Sequence, residues 1–216
     1  MRRLVILRPE PGASASLAKA RSLGFDAVAV PLFDVQPLAW VAPDSEPWDG
    51  IVATSANAFR HGGAGLEMLT SLPVHAVGET TAEAARSSGF LVASVGDGGA
   101  EALAPRLPAG RLLHLCGEHF RAISGTTAIP VYRSVAIDPP PALDQLAGAV
   151  AAVHSPRAGA RLAELVGERQ SIVIAAISAA AAEATGPGWA DVAISDEPRD
   201  EALLALAGRL CQEDRK

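Results

Sequence analysis

The residues able to do chemistry in this chain gather at turns that follow short apolar runs. Thr54-Ser55-Ala56-Asn57, Gly78-Glu79-Thr80-Thr81, Gly96-Asp97-Gly98-Gly99, Ser155-Pro156-Arg157 and Ser178 each stand where a strand pattern gives way to a helical one. A helix start offers unpaired N–H groups and a partial positive charge, so such turns favour anions. The same residues also suit structure alone. Ser55 and Ser155 fit helix N-caps, Pro156 fits a first helical position, and Thr80 with Glu83 fits a capping box. Recurrence of polar strand-end turns in both halves of the chain raises the anion-binding reading beside that of capping alone.

Other chemistries find less support. The Gly96–Gly99 spacing is not a dinucleotide fingerprint. His61, His75, His114, His119 and His154 are scattered without ligand spacing, so no metal is expected. Cys116 and Cys211 give neither a disulfide framework nor a metal motif, and Cys116 reads as a small buried hydrophobe. Ser55 and Ser155 lack a nucleophile-elbow pattern, which argues against a hydrolase. Tyr132, the sole tyrosine, sits in a Pro-bounded extended segment, where either a cleft-facing or a structural role suits it.

Bulk properties exclude further classes. A formal charge of −6 with no Lys/Arg cluster gives no nucleic-acid surface. At 49% hydrophobic and 19% charged, the composition is that of a folded protein rather than a disordered one. The apolar run Leu4–Leu7 is far short of a signal core, and Ile172–Ala182 falls below the roughly 18 residues needed to span a bilayer. A cytoplasmic protein without a membrane partner is expected.

Short β-branched runs alternate with Ala/Leu-rich stretches and must position these turns. Strands are expected at Arg3–Leu7, Ala27–Val35, Ile51–Ala53, Val74–Val77, Leu91–Val95, Leu112–Leu115, Ala151–His154, Ile172–Ile177 and Val192–Ile194. Helices are expected at Ala13–Leu23, from about Ala56 to Leu69, and after the later strands. Apolar strands alternating with helices indicate an α/β fold with parallel sheets buried on both faces.

An internal repeat shapes the architecture. IVATSANAFR at 51–60 echoes AAVHSPRAGAR at 151–161, and HAVGETTAEA at 75–84 echoes AAISAAAAEA at 175–184. Later, VGDGGAEAL at 95–103 answers ISDEPRDEALL at 194–204. One period covers half the chain, so two similar domains are expected rather than a solenoid. Residues 28–38 and 129–137 are extended, Pro-bounded and fit neither repeat. They are expected to carry the chain across near 30–36 and 129–136, giving one domain from 1–35 with 132–216 and a second, inserted domain from 36–131. Strand-end turns of the two domains would then line a cleft.

Nearly end to end, the chain resembles the uroporphyrinogen-III synthase family. The resemblance runs through ILRPEPGASASLAKARSLGFDAVAVPLFDVQP, DGIVATSANAF, VHAVGETTAEAARSSGF, IPVYRSVAI and VHSPRAGARL. Departures stand at Ser178 and Ala181, where the family commonly has Gly then Thr, at Leu7 before Arg-Pro, and at Cys116 before Gly.

The resemblance implies two flavodoxin-like α/β domains joined by a two-stranded connector. It implies a cofactor-free closure of hydroxymethylbilane, a linear tetrapyrrole with eight carboxylates, to uroporphyrinogen III. Ring A loses its hydroxyl, ring D attacks through its substituted carbon, and a spiro intermediate fragments and recloses with ring D inverted. Tyr132 matches the family's connector tyrosine and is the candidate for assisting hydroxide departure. Thr54, Ser55, Asn57, Gly78, Thr80, Thr81, Ser155, Arg157 and Ser178 match cleft-facing turns, and Arg8 matches the Arg-Pro pair; all are candidates for holding carboxylates. A cleft complete within one chain favours a monomer. A non-catalytic two-domain binder of a tetrapyrrole or another polyanion stays open as the alternative.

Overall fold

The computed structural model describes residues 1–96, 103–139 and 143–212. The turn expected at Gly96–Gly99 lies outside the described residues beyond Gly96, as does Glu101-Ala102 of the repeat. The chain forms two compact units: Met1–Asp34 with Ala136–Lys216, and Val35–Val135.

Unit 1 holds β1 (Leu4–Ile6), β2 (Ala27–Ala29), β9 (Val150–Val153), β10 (Val173–Ala176) and β11 (Asp191–Ile194). They form a parallel sheet in the order β11-β10-β9-β1-β2. Alternate side chains of a strand point to opposite faces, and this sheet is covered on both. Val5, Ala151, Val153 and Ile174 pack with Ala158 and Leu162 of α4 (Pro156–Leu165) and Ala181 of α5 (Ala179–Ala184). On the other face, Leu4, Ile6, Ala152 and Ala175 pack with Ala20 of α1 (Gly12–Ser22) and Leu203, Ala207 and Leu210 of α6 (Asp200–Gln212).

Unit 2 holds most of β3 (Phe33–Pro37) and β8 (Thr126–Ala136), with β4 (Gly50–Ala53), β5 (Val74–Val77), β6 (Val92–Gly96) and β7 (Leu112–Gly117). The sheet order is β3-β8-β7-β4-β5-β6, and the pairs from β8 to β6 are parallel. Ile51, Ala53, Val74, Leu113 and Leu115 build one core with Phe59 of α2 (Asn57–His61) and Ala82 and Ala85 of α3 (Glu79–Ser87). The opposite face is smaller, with Val52, Leu112, Leu103 and Ile123. Both β3 and β8 run across the sequence boundary between the units.

Three sequence expectations need correction. The strand at Ala27–Val35 is two strands in two sheets, because Pro31 has no N–H to continue a ladder. The helix from Ala56 to Leu69 stops at His61 and resumes as a 3-10 stretch, Gly63–Leu69; Gly63 at φ 63° is incompatible with an α-helical turn. No helix follows β7. The chain reaches the parallel strand β8 through residues 118–125, whose sequence carries no helical apolar period.

Candidate functional site

Register brings the unit 2 candidates level with one another. Ala53 pairs with Leu115 and with Ala76, and Gly117 pairs with Tyr132 after a bulge at Cys116/Gly117. The carboxyl ends of β4, β5 and β7 therefore share one sheet edge with Tyr132. Thr54 and Ser55 continue β4, and Gly78 continues β5.

The Tyr132 ring lies directly against Gly117. A Cβ built on Gly117 would stand 2.8 Å from both Cε2 and Cζ and 3.1 Å from the phenol oxygen. Only glycine leaves that space. The ring is partly buried, with the His61 ring centroid 6.5 Å away. Burial pushes the phenol above its ordinary pKa, and a hydrogen-bonding interaction with Ser55 pulls it the other way. Ser55 Oγ also accepts the Asn57 N–H at 3.2 Å. Burial thus keeps Tyr132 protonated at neutral pH. A phenol so held can donate to a departing oxygen anion.

Around it, Thr54 Oγ1 stands 3.4 Å from Nε2 of the buried His114. Gly78 adopts φ 80° and opens α3, so a side chain there would be strained. Thr80 is exposed in the first turn of α3, whereas Thr81 is 4% exposed and packs inward. The capping box expected at Thr80 does not form, since the N-cap is Gly78 and no side chain caps the helix. Cys116 is buried and its thiol is pushed up to about 11 by burial, consistent with a packing role.

In unit 1, Ser155 and Ser178 are true N-caps. Ser155 Oγ accepts the Ala158 N–H at 3.2 Å, and Ser178 Oγ accepts the Ala181 N–H at 3.3 Å. Arg157 is exposed, and its guanidinium lies 4.6 Å from the centroid of the Phe33 ring. Ala181 is fully buried, and its carbonyl would be 2.7 Å from a Cβ on Gly159 of α4. The threonine-to-alanine difference between the two repeats therefore falls at a packed position, since Thr81 is itself buried.

Arg8 follows β1 and is tied into a network that spacing alone does not reveal. Its Nη1 donates to Asp200 Oδ1 at 3.1 Å and to Ser16 Oγ at 3.1 Å. Ser16 Oγ donates to the same Asp200 oxygen at 2.8 Å, and His154 Nε2 meets it at 2.7 Å. Hydrogen bonds from His154 and Ser16, with the His154 and Arg8 charges, overcome burial and hold the Asp200 carboxyl at about 2. Burial lowers the pKa of His154. His154 and Asp200 were invisible as a pair because 46 residues separate them; the one sequence signal was that His154 immediately precedes the Ser155 turn.

Comparison with known proteins agrees with this architecture. A family model described as uroporphyrinogen-III synthase HemD matches residues 14–205. Among solved structures, uroporphyrinogen-III synthetase from Helicobacter pylori superposes with a TM-score of 0.68 at 19% identity, covering 97% of this chain and 100% of that one. A mutant uroporphyrinogen III synthase from Thermus thermophilus gives a TM-score of 0.56 at 17% identity, covering 99% of this chain and 100% of that one. No curated protein sequence matches significantly. The structural likenesses establish the shared fold, and the match of the family model over most of the sequence goes further: this chain belongs to the uroporphyrinogen-III synthase family.

Proposed function

We propose that the chain closes hydroxymethylbilane to uroporphyrinogen III, with inversion of ring D and release of water, in haem biosynthesis. The observation that carries this reading is the family match over residues 14–205. The pyrroles supply the electrons, so the protein's tasks are to fold a flexible polyanion and to stabilise charge as hydroxide leaves.

Tyr132 is the catalytic residue of this proposal. Its protonated phenol, braced by Gly117 and Ser55, donates to the leaving oxygen on ring A. The C–O bond breaks, the pyrrole nitrogen lone pair fills in behind it, and the proton from Tyr132 completes a water molecule. The proton lost when the macrocycle rearomatises restores the phenol.

Thr54, Ser55, Asn57, Gly78 and Thr80 in unit 2, and Arg8, Ser155, Arg157 and Ser178 in unit 1, are assigned to substrate carboxylates. Thr81 supports the Gly78 turn from within the core. The domain reading of 1–35 with 132–216, and 36–131, belongs to the same proposal, as does a monomer that needs no cofactor. Buried, unpaired Cys116 and Cys211 support a reducing, cytoplasmic setting. Among the described residues no helix is long and apolar enough to cross a membrane. Resolving the uroporphyrinogen isomers formed from hydroxymethylbilane tests the activity: isomer III supports it, and isomer I alone overturns it.

A further inference from the structure

Asp200, His154 and Ser16 form a built cluster around one nitrogen of Arg8. Ser16 is fully buried, the His154 side chain is 7% exposed, and Asp200 is 22% exposed. Arg8, Ser16 and His154 all converge on Oδ1 of the Asp200 carboxylate. His154 meets that oxygen through Nε2 at 2.7 Å. With Nε2 as the donor to a carboxylate, the imidazole is fixed in one tautomer and one orientation.

The arginine is held from two sides. Asp200 and Ser16 engage Nη1, whereas Gly12 at the start of α1 faces the rest of the guanidinium. A Cβ on Gly12 would stand 2.4 Å from Nε, 2.7 Å from Cζ and 2.8 Å from Nη2. Among the described residues, no hydrogen bond involves Nε or Nη2. Those two nitrogens form the fork with which a guanidinium takes a carboxylate through parallel N–H···O bonds. The side chain as a whole retains 32% exposure.

The internal carboxylate does not use the Nε/Nη2 edge of the guanidinium. Here the internal carboxylate takes one terminal nitrogen and two further groups hold that carboxylate in place. We propose that Asp200 and His154 are positioning residues for Arg8, pinning Nη1 so that Nε and Nη2 are presented to a carboxylate of the substrate. The inference rests on the reading of Arg8 as a substrate contact. It adds a supporting shell that neither the repeat nor the motifs disclose.

A double-mutant cycle read on uroporphyrin III, an octacarboxylate, tests this independently of turnover. The dissociation constant is measured for the wild type, Arg8→Ala, Asp200→Asn, Gly12→Ala and each of the latter two combined with Arg8→Ala. Arg8→Ala weakens binding about tenfold. Asp200→Asn weakens it about fivefold in the wild type and has no further effect once Arg8 is gone. Gly12→Ala displaces the guanidinium from the opposite side while leaving the Asp200, His154 and Ser16 side chains themselves unaltered. It weakens binding similarly, again only while Arg8 is present, with the urea midpoint unchanged or raised because alanine suits that helical position.

A loss on Asp200→Asn or Gly12→Ala that is equal with and without Arg8 overturns the positioning role. Unchanged binding in Arg8→Ala also overturns it, by removing the contact it serves. Failure of the synthase reading shows up elsewhere, as formation of isomer I alone by a protein that still binds uroporphyrin III through Arg8.

Discussion

The ring of Tyr132 occupies the volume that a Cβ on Gly117 would need, 2.8 Å from two of its carbons. The two residues are register partners on adjacent parallel strands, across a bulge. The glycine therefore sets where the only tyrosine of the chain holds its hydroxyl. Gly117→Ala forces the ring aside and is expected to lower the rate of isomer III formation about tenfold. It is also expected to cost about 1–3 kcal/mol of stability through overpacking. Steady-state rates with urea unfolding check both, and a wild-type rate would show that the ring position does not matter.

Tyr132→Phe keeps the packing against Gly117 and removes only the hydroxyl. Stability should be preserved, because the phenol reaches Ser55 at a partly buried position and not in a sealed core. Turnover should fall about a hundredfold, the range for loss of a general acid. Equal kcat in the two proteins removes Tyr132 from the mechanism.

The two equivalent turns should fail for different physical reasons. Ser178→Ala deletes the Oγ that caps the Ala181 N–H and is expected to cost about 1 kcal/mol. Gly78→Ala deletes nothing and instead places a Cβ at φ 80°, at a cost of about 1–2 kcal/mol. Chemical denaturation of both variants tests this. A neutral Gly78→Ala would mean that the turn relaxes to accept a side chain.

Buried imidazoles make stability depend on pH. His75, 8% exposed and bonded through Nδ1 to Ser94 at 2.8 Å, and His114, 1% exposed, both have pKa values lowered by burial from the ordinary 6.5. The unfolded chain therefore takes up these protons first as pH falls. Their contribution is complete above the unfolded value and is lost progressively as pH drops through the lowered native values. The urea midpoint should be lower at about pH 5.5 than at about pH 7.5. A midpoint that rises on acidification would contradict the burial of these rings as neutral species.

Class and parallel sheets were legible because strands buried on both faces are written as short apolar runs. Val150–Val153 and Val173–Ala176 are buried at every residue and read that way. Boundaries set by single backbone features were not legible: Pro31 splits one apolar run into strands of two sheets, and Gly63 ends a helical pattern. At the candidate site, Ser155 was readable as a strand-end cap because its partner lies three residues on, whereas the expected Ser55 cap does not form, since Ala56 is the N-cap of α2 and no side chain caps it. The Gly117 cradle and the Arg8–Asp200–His154 cluster depend on pairs far apart in sequence, which no local spacing records. Ala181 looked like a lost polar group, yet its counterpart Thr81 is buried too, so the position is governed by packing in both repeats.

Whether this chain directs ring closure is reported directly by the product isomer. Hydroxymethylbilane generated freshly in the presence of increasing protein is oxidised and its porphyrin isomers are separated. Isomer III is expected to displace isomer I as protein rises, and Tyr132→Phe at the same concentration is expected to shift the ratio back. Isomer I alone at every protein concentration, from a chain shown to be folded, would contradict a directing role.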